Sequence, residues 1–327
     1  MMDNMTHIIL YAIVPILVVM LAGYIAGKKG AFTGGDAKKF NKVVLDFALP
    51  AALFVSIVQA DREMLAKDLK LTLVSLVVIM FCFMLVYFIY KYCFKKNTGA
   101  DAAIMALISG SPTIGFLGFA ILEPIFGTTP TVALVVAIVG IVVNAVGIPV
   151  GLSLLNASDA AQEAKAGKKK ESAWKPVIHA LAQPVAWAPI LAVIMVLVGI
   201  KWPDYLSPSF NLIAKANASM AVFAAGITLS AITVKINWQV ILGSILKMIV
   251  MPALLLIAGL LVHMDPLNLK MLVVAGTLPP AFSGIIIASE YNTYVANGTS
   301  SLTLSVILFM GFCPLWIWLT DLALAAF

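Results

Sequence analysis

Two short stretches of this chain carry the residues best suited to hold an ion inside a membrane. Ser109-Gly110-Ser111-Pro112-Thr113-Ile114-Gly115 and Gly276-Thr277-Leu278-Pro279-Pro280-Ala281-Phe282-Ser283-Gly284 each lie in the middle of a long apolar run. Proline lacks a backbone N–H and clashes with the preceding turn, so a helix is expected to break at these points, at bilayer depth. At a break the second half-helix starts with unpaired N–H groups and a positive dipole end, while the first ends in free carbonyls. One break therefore offers a place for an anion and a place for a cation. Ser109, Ser111, Thr113, Thr277 and Ser283 add hydroxyls without adding charge, so a small carboxylate suits the N-terminal ends, with Na+ or a proton carrier nearby. The two stretches share a register, because Glu123 follows Pro112 by eleven residues and Glu290 follows Pro279 by eleven. Interrupted segments at corresponding points of two halves mark a secondary transporter's binding site. The plainer alternative is a pair of kinked packing helices.

Other chemistry finds no footing. There is no HExxH, GxSxG, GxxxxGKS/T or GxGxxG motif, and His7, His179 and His263 are far apart, so no enzyme and no catalytic group is expected. Cys82, Cys93 and Cys313 lack CxxC spacing, which argues against a disulfide framework and a thiolate metal site. No cofactor is expected beyond Na+ as a possible coupling ion. Ionisable residues inside spans are functional candidates by default. Asp46, Lys215 and Lys247 are the main three; Asp46 is suited to carry a proton or to pair with a lysine. Lys215 lies near the start of its span, where it could meet substrate or snorkel to the interface. Lys247 lies about nine residues, or ~14 Å, into its span, deep enough for substrate contact, a salt bridge or a helix-end contact. Asn144 and Glu290 are secondary candidates, and Glu123 is expected at an outer span end as a solvated residue.

These residues need a membrane to position them. The chain has 327 residues, 62% hydrophobic and only 11% charged, with a mean hydropathy of +1.05, far from the roughly 25% charged of soluble domains. It reads as an all-α polytopic protein with about ten transmembrane helices, near 8–27, 43–59, 71–94, 102–126, 131–154, 177–199, 211–233, 238–262, 269–289 and 300–325. The net charge of +6 sits mostly in short loops, which suits topology better than nucleic-acid binding. Loops after odd-numbered spans hold fourteen lysines and the opposite set holds five cationic residues (Arg62, Lys67, Lys70, Lys201, Lys270), so the odd loops are expected in the cytoplasm and both termini outside. The small-residue spacings Gly23/Gly27 and Gly147/Gly151 are suited to close helix contact.

Five spans per half is an odd number, so related halves must be inverted. Phe40-Asn41 and Phe210-Asn211 open spans two and seven at an offset of 170, Ala51 matches Ala221 at the same offset, and the broken spans four and nine match at 167. The expected units are a first five-helix repeat over 1–156, a cytoplasmic linker over 157–175, partly helical, and a second, inverted repeat over 176–327, with crossed broken helices in spans four and nine.

Leu45-Asp46-Phe47-Ala48-Leu49-Pro50-Ala51-Ala52-Leu53-Phe54 resembles the span-two motif of the auxin efflux carrier family, which includes plant auxin carriers and bacterial malonate and malate permeases. Leu278-Pro279-Pro280, followed by Ser289-Glu290-Tyr291-Asn292, resembles its span-nine motif, and the likeness in span count and order covers essentially the whole chain. The resemblance implies a scaffold from spans one, two, six and seven, dimerised, and a transport domain from spans three to five and eight to ten, crossing at Pro112 and Pro279. The residues themselves give the candidate substrate site as Ser109, Ser111, Pro112, Thr113, Asn144, Lys215, Thr277, Pro279, Pro280 and Ser283, with candidate ion coupling at Asp46, Lys247 and Glu290. Plant carriers usually have asparagines around the span-four proline where this chain has Ser111, Thr113 and Ile114, so the bacterial dicarboxylate branch fits better. The expected function is elevator-type secondary transport of a small organic anion such as malonate or malate across the plasma membrane, coupled to Na+ or H+. A bile-acid-type Na+-coupled carrier and a non-transporting anion sensor are the alternatives.

Overall fold

The computed structural model describes residues 10, 14–58, 69–165, 184–231 and 235–326. It is 85% helix and contains no strand among the described residues. The helices are α1 (Val14–Lys28), α2 (Gly34–Val43, a π turn Val44–Ala48, then Leu49–Val58), α3 (Leu69–Tyr92), α4 (Gly99–Ser109), α5 (Ile114–Phe126) and α6 (Pro130–Ile141, a π turn Val142–Gly147, then Ile148–Lys165). They continue as α7 (Pro184–Val198), α8 (Ser207–Ala214, then Ala216–Ser230), α9 (Trp238–Ile245, a π turn Leu246–Val250, then Met251–Leu261), α10 (Pro266–Thr277), α11 (Phe282–Glu290) and α12 (Val295–Ala326). Five of these, in α3, α6, α8, α9 and α12, are long and apolar enough to cross a membrane, and α1, α4 and part of α5 are shorter apolar helices.

Local chemistry sets the ends. Thr33 and Asp36 form a reciprocal capping box, so α2 starts at Gly34, well before the apolar run that the hydropathy reading places at 43. Thr98 and Asp101 do the same for α4, and Asp265 accepts from two N–H groups at the start of α10. The linker expected over 157–175 begins as helix, since α6 runs on to Lys165; residues 166–175 lie outside the described residues, as do Arg62 and Lys67.

Each π turn sits just before a proline: Pro50, Pro149 and Pro252. A proline cannot donate to the carbonyl four residues back and collides with it, and a widened turn relieves the clash. In α9 the carbonyl thus released, that of Met248, accepts the Trp316 indole N–H at 2.9 Å. Asp46, Asn144 and Lys247, picked out as polar groups inside spans, each fall in one of these turns.

Packing pairs α1 with α8 and α7 with α2, and residues of α1, α2 and α8 also join the larger core. α1 lies against α8 at Gly23, Gly27 and Gly226: a Cβ on Gly23 would fall on the Phe223 carbonyl oxygen, and one on Gly226 on that of Met20. Close approach through small residues is how membrane helices associate without a hydrophobic driving force. α7 packs on α2 through Ala188 and Ala192 against Phe54, Val55 and Ile57. α3 to α6 and α9 to α12 share the larger core. In that group Gly151 of α6 meets Leu107 of α4, whereas Gly147 abuts Ser111 more loosely. Outward faces are apolar, as in the α3 stripe Leu69, Leu73, Val77, Phe81 and Phe88, which suits acyl chains rather than water.

Candidate functional site

The two interruptions meet. Pro112 and Pro280 face each other in an isolated antiparallel bridge. Thr113 N–H donates to the Pro279 carbonyl at 3.0 Å, and Ala281 N–H donates to that of Ser111 at 3.1 Å. Backbone groups freed by the prolines are thereby partly satisfied by each other, which is how non-helical chain is tolerated at bilayer depth. The crossing needs glycine on both sides. A Cβ on Gly110 would come 2.7 Å from Phe83 Cα, and one on Gly284 would come 2.8 Å from the Leu107 carbonyl carbon.

Not every hydroxyl expected at the site is free to serve there. Thr277 Oγ1 donates to the Val274 carbonyl of its own helix at 2.7 Å, and Ser109 Oγ lies 3.2 Å from Ser301 Oγ. Ser111 and Ser283 are buried at the crossing, and Asn144 donates back to the Gly140 carbonyl at 2.9 Å. Thr113 is not consumed: it precedes α5 without making a side-chain cap, and its Oγ1 is buried with no hydrogen-bond partner. An unmade hydrogen bond in the interior costs about 1–3 kcal/mol.

A cavity of about 730 Å³ lies along the second half of α5, lined by Phe119, Glu123, Asn211, Lys215 and Asn217 among others, and none of the residues of the crossing lines it. Asn217 links cavity to crossing, since its Nδ2 donates to the Gly115 carbonyl at 2.7 Å while its Oδ1 is buried without a partner. Lys215 stands at the interruption of α8, exposed to the cavity and free of any ion pair among the described residues. Glu123, expected as a solvated end residue, is half-buried and lines the same cavity. The arrangement offers an uncapped helix N-terminus with the unpartnered Thr113 hydroxyl, and a free cation at Lys215: groups that bind a carboxylate without covalent chemistry, whereas the orphaned Asn217 Oδ1 can only accept a hydrogen bond.

Asp46 is half-buried in α2 and is not among the cavity's lining residues. Lys247 lies behind the crossing, fully buried, with its ammonium donating to the Gly276 carbonyl. The side chain of Glu290 lies outside the described residues. Asn211, Asn217 and Glu123 complete the cavity and do not emerge from motif reading. Their signal was proximity to Lys215 on either side of the α8 interruption, and the shared spacing of Glu123 and Glu290.

A family model described as membrane transport protein matches residues 8–317. The chain is 52% identical over 312 residues to "Uncharacterized transporter YfdV" of Escherichia coli K12, covering 95% of this chain and 97% of the relative. It is 24% identical over 314 residues to "Uncharacterized transporter MJ1031" of Methanocaldococcus jannaschii, covering 93% and 96%. It is also 24% identical over 309 residues to a Rhizobium meliloti protein named "Putative malonate transporter", covering 90% and 91%.

Proposed function

The chain belongs to the membrane transport protein family, the auxin efflux carriers, and is a transporter rather than an enzyme; from that premise we propose that it is a secondary active carrier of a small organic anion, a dicarboxylate such as malonate or malate. The observation that carries the reading is the crossing of two proline-broken helices, joined through the Asn217–Gly115 hydrogen bond to a cavity that Lys215 lines. Lys215 supplies a full charge for one carboxylate. The N-terminal end of α5, with the Thr113 hydroxyl, supplies partial charge and a hydrogen bond for the other.

Two inverted five-helix repeats, 1–156 and 176–327 about the linker 157–175, account for several pairings. Partners are exchanged as inversion requires, α1 with α8 and α7 with α2. Two aromatic triads repeat the exchange: Phe32 and Phe40 against Phe223, and Trp202 and Phe210 against Phe54.

In this reading α1, α2, α7 and α8 form the scaffold, dimerised in the plasma membrane with both chain termini outside, and the remaining helices move as one body. Separating the crossed helices would strand backbone groups in a dry region, at several kcal/mol each. Sliding of the crossing past α2 and α8, driven by Na+ or H+, therefore carries the anion.

Leu49 and Gly115 touch across that surface, a Cβ on Gly115 lying 2.8 Å from Leu49 Cδ2. Cysteines at these two positions, with the exposed Cys93 replaced by serine, should bridge under oxidation. The bridge is expected to stop malonate uptake into proteoliposomes, and reductant to restore it. Uptake at the normal rate by fully bridged protein would refute the moving body.

A further inference from the structure

Lys247 is 0% exposed in the π turn of α9, and no carboxylate lies within ion-pair distance of it among the described residues. It cannot snorkel, because about nine helical residues, ~14 Å, separate it from the start of its helix. Its ammonium donates to the Gly276 carbonyl and lies 3.5 Å from Met251 Sδ. Gly276 is in the last turn of α10, one residue before the helix ends at Thr277 and the crossing begins.

The last carbonyls of a helix carry its negative dipole end and need donors or cations. In α10 the Val274 carbonyl accepts Thr277 Oγ1, that of Ala275 accepts Leu278 N–H, and that of Gly276 takes the lysine. At the end of α4, across the crossing, the Ile108 carbonyl accepts Ala281 N–H instead. Half-helix C-termini of this kind are where carriers coordinate Na+. We infer that Lys247 is a tethered cation occupying the place of a coupling ion at the end of α10, so that this carrier works without Na+. The inference rests on the crossing being the ion-binding part of a carrier. The ammonium supplies the positive charge that balances the carbonyl end, and its four-carbon stem fills the approach a hydrated ion would use.

The test is thermal unfolding of the purified full-length protein in NaCl and in choline chloride at equal ionic strength. A ligand that binds the folded state raises Tm, so a Na+ site is visible without any transport assay. Wild type is expected to show the same Tm in both salts. Lys247→Ala empties the place, and is expected to melt lower in choline and to regain part of the loss in Na+. Lys247→Met keeps the volume without the charge and is expected to show no Na+ gain. A Na+-specific rise in wild type would overturn the proposal, and that arm decides even where Lys247→Ala does not fold. Equal responses of the alanine and methionine variants would overturn it too. Labelled malonate uptake by wild type, run in parallel in the two salts, separates the readings: no uptake with a salt-independent Tm sinks the dicarboxylate assignment and leaves the tethered cation standing.

Discussion

Gly284→Val is expected to lower gradient-driven uptake by roughly 100-fold, the order seen when a reacting or binding group is displaced by ~1 Å. The cause is backbone against backbone. A Cβ at this position would sit 2.8 Å from the Leu107 carbonyl carbon and 2.9 Å from the Ile108 nitrogen, so no rotamer change relieves it. α11 must lift off α4, and the Ala281 bonds to the Ile108 and Ser111 carbonyls lie three residues away. Gly311→Val is the control. It adds the same bulk to α12, where nothing lies within 4 Å of the new Cβ, and should transport normally. Uptake is compared per unit of monodisperse protein, so misfolding is not counted as lost transport. Normal uptake by Gly284→Val would mean that the crossing has slack and is not the site.

Lys215→Ala should raise the half-saturating malonate concentration roughly 10- to 100-fold, the equivalent of a charge-assisted hydrogen bond worth about 1.5–3 kcal/mol. Maximal rate and expression should change far less, because Lys215 has no ion-pair partner among the described residues to leave stranded. Lys215→Arg should fall between the two, keeping the charge in a wider, planar head. A concentration dependence identical to wild type would mean that Lys215 only reaches for the interface.

The breaks at Pro112 and Pro279-Pro280 were legible because proline acts within one turn of itself, whatever surrounds it. The pairing of Pro112 with Pro280 was not, since it follows from how two segments cross in space. Span boundaries drawn from apolar runs missed the polar start of α2, although Thr33 and Asp36 carry the local signal of a capping box. The depth of Lys247 was readable by counting residues, but its carbonyl partner, 29 positions away, was not. Asn217 bonds to Gly115 across 102 positions, so its place beside the crossing needed the fold. Thr277 shows the opposite failure: a hydroxyl in the right segment is consumed by its own helix.

That the molecule moves an anion, rather than only binding it, is tested most directly by labelled malonate in proteoliposomes with an imposed ion or pH gradient. The expected result is accumulation inside above the external concentration, abolished when the gradient is dissipated. Saturable binding of malonate with no gradient-dependent accumulation would contradict the carrier and leave an anion sensor built on the same crossed helices.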